Sequence, residues 1–232
     1  MTFNSRAMRY FLFHLAAFAL FPFALQAQVD SSYNTTYYQQ KVSQYRMFRS
    51  EDNKAPVMFL GDSITDIAEW NEIFGISGIL NRGISADNTF GVLHRLDDVI
   101  RRRPVALYLM IGINDISHDV PDSIIIRNYR NIIKAIRSGS PATRIYVQSI
   151  LPTNNEFIEF KRHQDKLEHI REVNKALKAG EKEGLYAYVD LYGYFTDRQG
   201  KLDRKYTNDG LHLTAAGYAL WKSCLINGKY FR

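Results

Sequence analysis

From residue 55 onward, short apolar runs alternate with longer stretches whose apolar positions recur at helical spacing. Residues 55–60 read Ala-Pro-Val-Met-Phe-Leu and stop at Gly61-Asp62-Ser63, the pattern of a buried strand breaking into a turn. Residues 79–83, 105–111, 144–151 and 185–191 form four more runs of this kind. Helical patterns lie between them, at about 86–102, 121–138 and 162–182. Alternation of this sort predicts an α/β fold whose parallel sheet is covered on both faces, with ligands binding beyond the carboxyl ends of the strands. Upstream, Tyr37, Tyr38, Lys41, Val42, Tyr45 and Phe48 fall near helical spacing, so residues 28–54 are expected to contribute a helix packed on the domain. A final helix runs through Ala215, Ala216, Tyr218, Leu220, Trp221 and Leu225, with Thr214 as its expected cap.

Four fragments at or near predicted strand ends carry chemistry. They are Gly61-Asp62-Ser63, Gly83, Gly112-Ile113-Asn114-Asp115 and Asp209-Gly210-Leu211-His212. A serine hydroxyl becomes an effective nucleophile when a histidine takes its proton, and a carboxylate fixes that histidine's tautomer. Ser63, His212 and Asp209 fit these roles. Charge developing on an acyl oxygen needs preorganised donors, for which the Ser63 amide, the Gly83 amide and the Asn114 side-chain NH2 are candidates. Asp197 and Asp203 compete for the acid position, but the three-residue spacing of Asp209 from His212 lets one short loop aim both side chains inward.

On these blocks the chain resembles the SGNH (GDSL) hydrolases: Ser63 in Gly-Asp-Ser, Gly83 in Asn-Arg-Gly, Asn114 in Gly-Ile-Asn-Asp and His212 in Asp-Gly-Leu-His. The resemblance covers residues 55 to about 225. It implies a three-layer α/β/α sandwich of flavodoxin-like type, a central parallel sheet of about five strands, and a metal-free Ser-His-Asp esterase. It also implies an oxyanion hole made by Ser63, Gly83 and Asn114. The flanks Gly-Asp-Ser-Ile-Thr and Asn-Arg-Gly-Ile-Ser look most like the acetylhydrolase and carbohydrate O-acetylesterase branch.

Other features have plainer explanations. Arg101-Arg102-Arg103 ends a predicted helix just before Pro104, where cations complement the helix dipole, so no nucleic-acid partner is expected. His94, His118, His163 and His169 lack Cys or carboxylate partners at a zinc-ligand spacing, so neither metal nor cofactor is expected. Residues 151–160 leave the sheet on its carboxyl side and either overhang the site or tuck down into the next helix.

The first residues set the expected compartment. Arg6 and Arg9 precede an apolar stretch, 10–25, followed by Gln26-Ala27-Gln28, the layout of a signal peptide cleaved after residue 27. A retained anchor is the alternative, though the stretch is barely long enough to span a bilayer. Cleavage would leave 205 residues in a domain spanning 55–232 and its N-terminal segment, periplasmic or secreted, without stable membrane insertion. Loss of Arg6 and Arg9 takes the net charge from +6 to +4. Cys224 is the sole cysteine of the sequence, so an exported product has no internal disulfide. The expected substrate is a small-molecule or glycan ester with a short acyl group. A lysophospholipase or thioesterase, and a catalytically silent glycan-binding domain, are the alternatives.

Overall fold

The computed structural model describes residues 31–48 and 56–231. The expected leader, residues 1–27, lies outside the described residues. Five strands form one parallel sheet: β1 (Val57–Gly61), β2 (Ile79–Gly83), β3 (Ala106–Met110), β4 (Arg144–Gln148) and β5 (Ala187–Val189). Their spatial order is β2-β1-β3-β4-β5. The chain moves outward from β1 to β2 and then returns past β1 to β3. A crevice therefore opens between the carboxyl ends of β1 and β3, where α/β sheets of this order bind ligands.

The helices are α1 (Thr36–Met47), α2 (Ser63–Asp66), α3 (Trp70–Phe74), α4 (Thr89–His94), α5 (Leu96–Arg102), α6 (Ile113–Ser117), α7 (Asp122–Gly139), α8 (Leu167–Gly180), α9 (Tyr192–Phe195) and α10 (Ala215–Asn227). The period-two pleat sends Phe59, Tyr108 and Tyr146 to one face in register, where they stack as a row of rings at centroid distances of 4.7 and 4.9 Å. Trp70 from α3 stacks on Phe59 at 3.7 Å, and Trp221 from α10 meets Trp70 edge-on. Each such buried ring contributes roughly 1.5–3 kcal/mol. Met58, Leu60, Leu107 and Leu109 alternate with that row and are also fully buried. Packed side by side, α4, α5, α7 and α8 supply a second group of helices, with Ile125, Tyr129, Ile132 and Ile136 of α7 buried.

The elements differ from the sequence expectation in their ends. The expected helix over 86–102 is two helices, because Arg95 leaves helical geometry at φ −114°. Its guanidinium turns inward instead, to Asp87, the Arg82 carbonyl and the Gly61 carbonyl, tying β1 to β2. The expected helix over 162–182 begins only at Leu167, after a 3-10 turn at Lys161–His163 and the positive-φ residue Asp165. Thr214 takes the cap position of α10 but makes no capping bond; its buried hydroxyl has no partner among the described residues. In α1, Tyr38, Val42 and Tyr45 are buried against Ile84, and the Tyr38 and Tyr45 hydroxyls donate to the carbonyls of Gly91 and Gly83.

Candidate active site

Ser63 is the first residue of α2, separated from β1 by Asp62 alone. Asp62 caps that helix by accepting from the Ile64 amide at 3.0 Å. Gly61 has to be glycine: a Cβ there would lie 2.3 Å from the Met110 carbonyl and from Thr65 Oγ1. The aromatic layer pins the helix from below, since Tyr218 donates to the Ile64 carbonyl at 2.7 Å and Trp70 to the Thr65 carbonyl at 3.1 Å. The serine thus has a fixed address on rigid elements.

His212 reaches Ser63 from a separate segment, with Nε2 2.8 Å from Ser63 Oγ. Its Nδ1 lies 2.7 Å from Asp209 Oδ2. An ionised carboxylate only accepts, so Nδ1 carries the hydrogen and Nε2 offers its lone pair to the serine hydroxyl. The other carboxylate oxygen, Asp209 Oδ1, accepts from the Leu211 and His212 amides at 2.9 and 2.8 Å. Partial burial works to raise the Asp209 pKa, but the His212 bond and these two amides outweigh it and hold the carboxyl below its ordinary range. Asp197 and Asp203 are occupied elsewhere: Asp197 accepts from Gln199 and Lys201 amides, Asp203 from Lys205.

The donor side departs from the sequence reading at one residue. Gly83, expected to offer its amide to an oxyanion, already donates it to Asn81 Oδ1 at 2.8 Å. Its lack of a side chain serves packing instead, because a Cβ would lie 2.1 Å from the Asp66 amide nitrogen in α2. Three residues on, Ala86 adopts the left-handed conformation at φ +65°, and its amide has no hydrogen-bond partner among the described residues. Ser85 before it donates twice to Asp66 of α2, and the carbonyl of Asp87 after it accepts from Asn114 Nδ2 at 2.8 Å. Ala86 is therefore held between the helix that bears Ser63 and the side chain of Asn114. Nothing in the residue type announced this; the Ser-Ala-Asp-Asn turn was the available signal.

Asn114 sits in α6 just past β3, and its Oδ1 lies 2.9 Å from His163 Nε2. Burial pushes the His163 pKa down to about 4, with His212 and His118 adding to the shift. Residues 151–160 overhang the site at their end: Phe160 sets its ring edge-to-face against His212 at 4.8 Å and against His163 at 5.9 Å. Both Phe160 and His163 escaped the sequence reading, which saw a loop and a histidine without a metal partner.

Beneath the site, Asp62, Asp87 and Asp115 are buried together. Burial raises the Asp62 pKa to about 7, with the charges of Asp87 and Asp115 adding to it, and raises that of Asp115 to about 6. Asp87 is paired with Arg95 at 2.7 Å, and Asp115 accepts from Thr89. Among the described residues there is no group of three or more His, Cys, Asp or Glu arranged to hold a metal ion, and no helix long and apolar enough to cross a membrane. The Arg101–Arg102 pair turns back on its own helix, where both side chains meet Asp98.

Comparison with known proteins gives the arrangement a family. The rat platelet-activating factor acetylhydrolase IB subunit alpha1 is 28% identical over 175 residues, covering 73% of this chain and 72% of that protein. A solved structure described as a candidate platelet activating factor from Streptococcus pneumonia superposes with a TM-score of 0.76 at 31% identity, covering 83% of this chain and 92% of that one. An acetylxylan esterase from Geobacillus stearothermophilus shares the fold, with a TM-score of 0.62 at 19% identity over 77% of this chain and 95% of that one. The GDSL-like Lipase/Acylhydrolase family profile matches residues 59–220, a span that holds every residue placed at the site above. With that span matched, the chain belongs to the GDSL-like lipase/acylhydrolase family and is a carboxylic-ester hydrolase.

Proposed function

We propose that the protein is an exported serine esterase that removes short acyl groups, acetyl foremost, from carbohydrates or similar polar alcohols. The observation that carries the mechanism is the unbroken hydrogen-bonded line from Ser63 Oγ through His212 to Asp209, at 2.8 and 2.7 Å. His212 Nε2 takes the hydroxyl proton as Ser63 Oγ bonds to the ester carbonyl carbon, and Asp209 stabilises the imidazolium. The alcohol leaves with that proton and the acyl group stays on Ser63. Water, deprotonated in turn by His212, attacks the acyl-enzyme; carboxylate departs and the serine regains its proton. The negative oxygen of each tetrahedral intermediate is met by the Ser63 amide, the second Nδ2 hydrogen of Asn114 and the Ala86 amide, which stands in for the expected Gly83.

Two observations favour a short acyl group. Phe160 sets its ring edge beside His212, taking up space on that side of the site, and relatives of this chain carry acetylhydrolase and acetylxylan esterase names. A carbohydrate alcohol follows from the second of these names alone, and export from residues 1–27. The amphiphile reading has its own support in Ile158 and Phe160, which are exposed on the loop beside the site. A p-nitrophenyl ester series decides between them: kcat/KM should be highest for acetate and propionate and fall toward octanoate. A steady rise to decanoate would replace the short-acyl reading with a lysophospholipase or thioesterase, since each CH2 buried in a deep pocket contributes about 0.8 kcal/mol. Export is tested separately, by N-terminal sequencing of the natural product, which should begin at residue 28.

A further inference from the structure

The amide of Asn114 has two chemically different ends, and only one can stabilise a negative oxygen. Its surroundings decide which way it points. The Asp87 carbonyl oxygen is an acceptor, so the atom 2.8 Å from it is Nδ2. Oδ1 then faces His163 Nε2, which must carry a hydrogen to bond at 2.9 Å. Burial keeps the ring neutral above about pH 4, so its one N–H is spent on Asn114 and Nδ1 holds a lone pair. That Nδ1 is buried with no hydrogen-bond partner among the described residues. The side-chain partner that the ring does have is a candidate oxyanion donor.

The ring is also firmly held. The Lys161–His163 turn packs against α6, the helix that carries Asn114. The His163 amide donates to the Phe160 carbonyl at 2.9 Å, and the His163 carbonyl accepts from Thr153 Oγ1 at 3.0 Å. Phe160, in the left-handed conformation at φ +50°, places its ring against both His163 and His212.

We propose that His163 is a positioning residue for acyl transfer: by donating Nε2–H to Asn114 Oδ1, it locks the amide in the orientation that presents Nδ2 to the oxyanion at Ser63. The proposal rests on Asn114 being an oxyanion donor. With Oδ1 held by His163 and one Nδ2 hydrogen held by the Asp87 carbonyl, the remaining hydrogen has a single direction. Donors fixed before the reaction are the ones that lower its barrier, because nothing has to reorient as charge develops.

The test is a mutant cycle on p-nitrophenyl acetate with purified protein, with near-ultraviolet circular dichroism confirming the fold of each variant. His163→Leu should lower kcat about 10- to 100-fold, the scale of a misplaced catalytic group, while KM stays close to wild type. His163→Gln, whose amide can donate to the same Oδ1, should return kcat to within about 3-fold of wild type. Asn114→Ala should lower kcat by about 10²–10³. In that background His163→Leu should cost nothing more, since the group it positions is gone. If His163→Leu does not fold, His163→Met carries the same expectations. Wild-type turnover in the Leu or Met variant, failure of Gln to rescue, or a full additional loss on top of Asn114→Ala would each overturn the positioning role. Wild-type kcat in Asn114→Ala alone would overturn the oxyanion reading beneath it, a result the His163 variants in the wild-type background cannot mimic.

Discussion

The two halves of the site are built in opposite ways. The acid-base half is a single loop: within residues 207–212, Asp209 accepts from the Leu211 and His212 amides, His212 donates its Nδ1 hydrogen to Asp209, and Thr207 Oγ1 accepts from the Gly210 amide. The donor half is assembled from distant segments, with Asn114 meeting the Asp87 carbonyl across 27 positions and His163 across 49. In the first half local backbone geometry orients the side chains. In the second, orientation exists only once the sheet and the 3-10 turn are in place. Damage to the loop should therefore strip out a chemical group, and damage to the donor half should mostly misplace one.

The largest effects should fall on the loop. Asp209→Ala should lower kcat on p-nitrophenyl acetate by about 10³–10⁴, because the imidazole loses its tautomer lock and the partner of its positive charge. This exceeds the loss expected from removing a single oxyanion donor such as Asn114. Equal losses in Asp209→Ala and Asn114→Ala would break the contrast between the halves.

A paired substitution sharpens the comparison on the donor side. Gly83→Ala forces a Cβ against the Asp66 backbone of α2 and should cost roughly 1–3 kcal/mol of stability, read as a fall in Tm. Ala86→Gly removes a Cβ from a left-handed residue, relieving about 1 kcal/mol that is partly offset by greater freedom in the unfolded chain. Its Tm should hold or rise slightly, with kcat within about 3-fold of wild type. Loss of turnover in Gly83→Ala at unchanged Tm would return Gly83 to the reacting oxygen.

Which parts were legible in the sequence follows from the same division. The strand runs ending in Gly61-Asp62-Ser63 and Gly112-Ile113-Asn114 marked the sheet, because buried parallel strands are continuous apolar runs. Five parallel strands in the order β2-β1-β3-β4-β5 match the fold class read from them. Asp209 and His212 could be paired on spacing alone, since their contact is three residues long. The Gly83 assignment went astray because a glycine near a strand end fits a donor and a packing contact equally well; only the Asn81 side chain and the closeness of α2 distinguish them. Ala86 was invisible because its usefulness lies in a dihedral angle that alanine rarely adopts. His163 was read for metal ligation, where it has no partners, rather than for a long-range bond to an amide. The break at Arg95 was equally hidden, since its inward guanidinium depends on Asp87 and two strand-end carbonyls.

A last expected effect, on stability rather than turnover, concerns the buried carboxyls below both halves. Asp62 has a folded pKa of about 7 against roughly 4 for an unfolded aspartate, so the folded state binds more protons between those values. Stability from this group is greatest below about pH 4 and declines as pH rises through about 7. Asp62→Asn keeps an acceptor for the Ile64 amide but cannot ionise. Its Tm relative to wild type should rise between pH 5 and pH 8. A difference that stays flat, or shrinks, over that interval would show that Asp62 ionises without penalty.

The central claim is that Ser63, activated by His212, is the nucleophile. It is tested most directly by incubating the folded protein with a fluorophosphonate and locating the adduct by intact-mass and peptide mass spectrometry. One phosphonyl group per chain, on Ser63, lost in Ser63→Ala and greatly slowed in His212→Ala, is the predicted result. An active protein that takes up no label, or whose label maps to another residue and persists in Ser63→Ala, would contradict it.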